Sequence, residues 1–173
     1  MMEREAKILL KRRLITAAII ILCALLQTTI GYFPSVLGAH FFILIPLCVC
    51  ISVFEQVRWS AAFGILAGAL WDLSHGGGDG YNALFLFAVC AVCGVLVRYL
   101  MQKNLVTSLV LSAGASFLYS LFYVMFFISA QGIERPAYLF VRFYLPSAIL
   151  TTLLVFVFYP INRSLAQKFA VEY

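Results

Sequence analysis

Apolar residues are gathered into six segments, at about 14–33, 38–54, 60–73, 82–100, 105–130 and 137–160, separated by short polar or glycine-rich breaks. Runs of this length read as membrane-crossing helices, because the hydrocarbon layer takes about 20 residues at about 1.5 Å per residue. The second and third are short. Roughly 14–17 residues reach only about 21–26 Å, so these two meet a thinned bilayer, lie inside the bundle or form a re-entrant hairpin. The pattern predicts an all-α bundle of about six crossings, with four crossings and a re-entrant pair as the alternative.

Composition agrees. The chain is 64% hydrophobic and 11% charged, against roughly 45–50% and about 25% in a soluble domain. Six spans use up 173 residues, so a single transmembrane domain over 1–173 is expected, with a basic leader at 1–13 and a tail at 161–173. The leader, "MMEREAKILLKRR", opens into apolar sequence with no A-x-A-like cleavage site after a short core, which reads as a first span rather than a removable signal.

Charge sets the orientation. With six spans, Arg4, Lys7, Lys11, Arg12, Arg13, Arg58, Arg98, Lys103, Arg163 and Lys168 share one side, and Arg135 and Arg142 lie toward the other. The positive-inside rule then places both termini on the cytoplasmic side of the membrane. The net charge of +5 reflects this bias and attraction to anionic lipid, and calls for no nucleic acid.

In the stretch "GILAGALWDLSHGGGDGYNALFLF", Gly64 to Phe87, the loop "SHGGGDGYN" falls on the outer side. An acid, Asp72, stands just inside the end of the third helix, where the dipole disfavours negative charge. A carboxylate in an apolar region requires a partner. Three are in reach: backbone amides and the Asn82 side chain of the glycine-rich return, Arg142 on the sixth segment, or a group on another protein. The first is favoured, because glycine amides are unobstructed and the bonds would fix where the fourth helix begins. Asn82 itself suits a cap for that helix. No Lys-Ser or Lys-Thr follows the glycines, which argues against a phosphate loop.

Small residues form two stripes of period four. Ser60, Gly64, Gly68 and Asp72 wind along the third helix, and Ser108, Ser112, Ser116 and Ser120 along the fifth. Helices in lipid associate through close backbone approach and interhelical hydrogen bonds, which such stripes provide. Both faces are expected to point inward, either packing helix on helix within the bundle or receiving a helix from another protein. In "LLQTTIGYF" the threonines Thr28 and Thr29 can bond their own helix, which leaves Gln27 in need of an interhelical or water partner.

Catalytic chemistry is not legible. No nucleophile stands beside a histidine base, and His40 and His75 lie on different segments from Cys90-x-x-Cys93, so no metal set or cofactor site is expected. The five cysteines all fall in apolar segments and read as small packing residues.

The order of these features resembles the MreD family of bacterial rod-shape-determining membrane proteins. The resemblance rests on "LLQTT" at the end of the first span, on "FEQVRWSAAFGILAGALWDLSHGGGDGYNALFLF", and above all on Asp-Leu after a glycine-spaced helix followed by Gly80, Asn82, Ala83 and Leu84. It is strong over about residues 20–100 and beyond that rests on hydropathy and length. The Pro-Asp pair that often enters the family's second span is absent, since this chain reads "GAHFFILIP".

The resemblance implies a non-enzymatic subunit of the cell-wall elongation complex. It would bind MreC and connect through it to the MreB filament and to a SEDS glycosyltransferase and transpeptidase pair. It also implies a fold like that of the substrate-binding subunits of energy-coupling-factor transporters. A vitamin-binding subunit of such a transporter is therefore the competing function, with Trp71, Asp72, His75, Asp79, Tyr81 and Asn82 as outward ligand-binding side chains. A lipid-handling protein using Arg142 is a third. Whether a homodimer forms is left open.

Overall fold

The computed structural model describes residues 2–29, 42–74, 80–128, 138 and 140–169. His40, His75, Asp79 and Arg135 lie outside the described residues. Among the described residues every regular element is helical: α1 Met2–Thr29, α2 Leu44–Phe54, α3 Val57–Ser74, α4 Tyr81–Tyr99, α5 Leu105–Tyr123, α6 Leu145–Leu153 and α7 Val155–Lys168. Single π-helical turns extend α5 at Val124–Ile128 and precede α6 at Phe140–Tyr144.

Three boundaries differ from those read from hydropathy. The basic leader is not a separate segment but the first turns of α1. Its Lys, Arg, Leu and Ala are strong helix formers, and neither glycine nor proline interrupts them. The third helix starts at Val57 and is 18 residues long, because "VRW" continues the helix although it breaks the apolar run. At the other end, α7 passes through Pro160 to Lys168, so most of the expected tail is helix.

The short second segment is the centre of the bundle. Every residue from Leu44 to Val53 is buried, and α2 packs on α1, α3, α4, α5, α6 and α7. Its 11 residues rise only about 16 Å, far less than a bilayer's hydrocarbon layer of about 30 Å. A helix that is apolar all round can be satisfied only by such enclosure.

The enclosing helices carry apolar side chains outward. Leu14 and Leu22 on α1, Leu84 and Val92 on α4, Val106 and Val110 on α5, and Phe156 on α7 are all exposed. Apolar exposure on this scale suits hydrocarbon rather than water. Three helical stretches, Tyr81–Tyr99, Leu105–Phe126 and Phe140–Lys168, are long and apolar enough to cross a membrane, consistent with a membrane protein.

From α1 to α5 the helices alternate in direction, and α6 and α7 continue one another, so polar residues collect at two levels. At one, Arg12, Glu55, Arg58, Arg98 and Lys103 line a common cavity. At the other, Asp72, Asn82 and Tyr119 are joined by hydrogen bonds. From Arg58 to Asp72 and from Asn82 to Arg98 the helical rise is about 21–24 Å.

Candidate functional site

The site begins with the close approach of α3 and α4. Gly64 and Gly68 face α4 so tightly that a Cβ on Gly64 would lie 2.6 Å from the Leu86 carbonyl oxygen, and one on Gly68 would overlap the backbone of Asn82 and Ala83. Lacking side chains, the two glycines let the helix backbones touch. Ser60 continues the stripe with its hydroxyl 2.6 Å from that of Ser52 on α2 and 3.1 Å from the Cys90 carbonyl on α4. The α3 stripe is therefore filled by helices of the same chain.

Asp72 ends that stripe, and its carboxylate reaches the first turn of α4. The amide and side-chain nitrogens of Asn82 donate to Oδ1 at 3.2 and 2.8 Å, and the Ala83 amide donates to Oδ2 at 3.0 Å. The N-cap residue of α4 is Gly80, with φ of 67° and no side chain to bond with. A non-glycine residue would be strained in this left-handed conformation. Asn82 and Ala83 occupy the second and third helical positions, whose amides an ordinary capping side chain would satisfy. Asp72 does so from the neighbouring helix. Its charge meets the positive end of the α4 dipole, which offsets its unfavourable place at the end of α3.

This corrects one expectation. Asn82 is not the cap of the fourth helix but its second residue, where it donates to Asp72 and accepts from the Tyr119 hydroxyl on α5 at 2.9 Å. Arg142 does not pair with Asp72. Its Nη1 donates to the Tyr138 hydroxyl at 2.9 Å, and the guanidinium is exposed beside Tyr138 and Phe143. Among the described residues the amides on Asp72 are those of Asn82 and Ala83 at the start of α4; the expected bonds from the glycine run fall outside the described residues.

Aromatic rings pack over this polar node. Tyr119 stacks on Trp71 with centroids 5.2 Å apart and meets Phe42 and Phe85 edge-on at 5.0 and 5.2 Å. Edge-on and offset contacts are the favourable geometries for rings. A second cross-helix cap stands nearby: Gln27 on α1 accepts the amide of Leu44 at 3.0 Å, so the first turn of α2 is also satisfied from another helix. Thr28 bonds back to the Ala24 carbonyl at 2.6 Å.

Ser108, Ser112, Ser116 and Ser120 are fully buried on α5, which packs on α2, α6 and α7. Ser108 and Ser120 bond carbonyls of their own turn, at Asn104 and Ser116, whereas among the described residues the hydroxyls of Ser112 and Ser116 find no partner. In this stripe small size is the operative property. The five cysteines are buried free thiols, with Cys90 Sγ 3.9 Å from the Cys48 carbonyl.

At the opposite polar level, Arg12, Arg13, Arg58, Arg98 and Lys103, which the charge pattern sets on one side, line one cavity, but the pairing of Arg12 with Glu55 was not foreseen. Arg12 Nε lies 2.7 Å from Glu55, and Arg12 Nη2 donates to the Phe54 carbonyl at 2.8 Å. Arg13 stacks over the Trp59 ring at 3.8 Å. A lone acid between two apolar runs, in "VFEQVR", was the available signal for Glu55.

Fold and site together define an all-helical protein with membrane-length helices, whose polar residues hold helix ends against one another. No protein-family model matches the chain, and neither a curated protein nor a solved structure matches it.

Proposed function

We propose that this chain is a non-enzymatic membrane scaffold of the MreD kind, binding an MreC-type subunit within the bacterial wall-elongation complex. The observation that carries the reading is the unit of Gly68, Asp72, Asn82 and Ala83. The residues on which the sequence resemblance rests act together, joining α3 to α4 rather than facing a substrate. With Asp72, Asn82 and Tyr119 bonded to one another inside, the chain presents apolar outer faces on α1, α4 and α5. Those are surfaces on which a partner's membrane helix can pack. In this reading the end with Arg12 and Arg98 faces the cytoplasm.

The aromatic cluster around Tyr119 favours a second reading, a small-molecule binding subunit, since flat ligands stack between rings. Against it, Asp72, Asn82 and Tyr119 already bond one another, so a ligand would have to break existing hydrogen bonds.

Gentle purification of the tagged full chain from its own membrane separates the two. Copurification of a single-span coiled-coil subunit supports the scaffold, and copurification of an energising ATPase pair overturns it.

A further inference from the structure

The basic end of the bundle encloses a cavity of about 660 Å³. Its wall carries Arg12, Arg13, Arg58, Arg98 and Lys103 against one acid, Glu55. Arg12 is engaged with Glu55 and the Phe54 carbonyl. Among the described residues no carboxylate pairs with the other four cations, and the buried Nε of Arg13 has no hydrogen-bond partner. Like charges around one cavity repel one another and concentrate an attractive potential for anions.

A second cavity, of about 510 Å³, runs between α1 and α7 and is walled by Ile19, Pro160, Ile161 and Leu165, with Ser164 and Lys168 its polar members. Lys168 lines this furrow and the next residue, Phe169, lines the basic cavity. The end of α7 therefore contributes to both. An apolar furrow near a cluster of cations with no carboxylate partner among the described residues matches a molecule with a hydrocarbon tail and an anionic head.

We infer that this is a binding site for an anionic phospholipid, its phosphate held by Arg13, Arg58, Arg98 and Lys103 and one acyl chain lying along the α1/α7 furrow. A free phosphate would use the cations but leave the furrow without a role. Basic pockets on the cytoplasmic side of helix bundles recognise lipid head groups in this way. The inference rests on the membrane reading and not on the scaffold role, whose failure would show separately as loss of the copurifying subunit.

The test uses the purified full chain in neutral detergent, titrated separately with phosphatidylglycerol, phosphatidylcholine and inorganic phosphate. Bound lipid is read by native mass spectrometry and stability by the unfolding midpoint. Phosphatidylglycerol should be retained in preference to phosphatidylcholine and should raise the midpoint. Replacing Arg58→Gln and Arg98→Gln together should lower that preference by on the order of tenfold. Both side chains are exposed, so the midpoint without lipid should stay the same. Leu165→Trp, which fills the furrow, should weaken lipid retention without affecting inorganic phosphate. Equal retention of the two lipids, an undiminished preference in the double variant, or full displacement of phosphatidylglycerol by millimolar phosphate would each overturn the assignment.

Discussion

The carboxylate of Asp72, in the last turn of α3, accepts the amide of Ala83, in the first turn of α4, at 3.0 Å. One acid thus satisfies the start of the helix that follows its own. Both of its oxygens act as acceptors, and this fixes what substitutions should do. Asp72→Asn keeps one acceptor and turns an NH2 donor toward an N–H group, for a loss of about 1–2 kcal/mol. Asp72→Leu removes both acceptors and should cost roughly 2–4 kcal/mol, combining lost charge-assisted bonds with unpaired buried amides. Arg142→Gln should leave stability unchanged. Unfolding midpoints in detergent check this order, and a harmless Asp72→Leu would contradict it.

Alanine in place of Gly68 should already be damaging, because the new Cβ meets the Asn82 and Ala83 backbone rather than a movable side chain. Overpacking of this kind costs about 1–3 kcal/mol. Gly114 is the matched control, since no atom lies within 4 Å of a Cβ built there, and Gly114→Ala should be neutral or slightly stabilising. Equal midpoints for the two variants would show that α3 and α4 can separate without penalty.

Tyr119→Phe keeps the ring contacts with Trp71, Phe42 and Phe85 and removes the hydroxyl that bonds Asn82. The expected loss is about 0.5–1.5 kcal/mol. Combined with Asp72→Asn it should be less than additive, because both changes act on the side chain of Asn82. Full additivity would mean that the three residues do not act as one network.

Arg12 and Glu55 expose only 12% and 8% of their side chains, so neither can regain full hydration if the other is removed. Arg12→Gln and Glu55→Gln should each destabilise, and the double variant should lose less than the sum of the two single losses. A double-mutant cycle should give coupling above the roughly 0.2–1 kcal/mol of exposed pairs. Coupling near zero would place the pair effectively in solvent.

Much of the candidate site was legible in the sequence because it was a local conflict. An acid at the wrong end of a helix, followed by a glycine turn and Asn82, has few physical resolutions, and the bond from the Asn82 side chain is one that was anticipated, whereas the Ala83 amide was not. Gln27 was legible for the same reason, as a polar group in hydrocarbon that must find a partner. The Arg12–Glu55 pair was not, because its members are 43 residues apart in sequence, and a pattern that puts the start of α1 and the end of α2 on one side does not say which side chains meet there.

By itself the sequence determined the helical character, the apolar outer faces and the small-residue stripes, since these follow from composition and from a period repeated along one segment. Tertiary structure alone decided that α2 is enclosed by the others, that the α3 stripe is filled by α4 and α2, and that Tyr119 rather than Arg142 completes the Asp72 node. The physical reason is that a helix pattern states which face needs covering. Which helix covers it depends on the summed fit of all the faces at once.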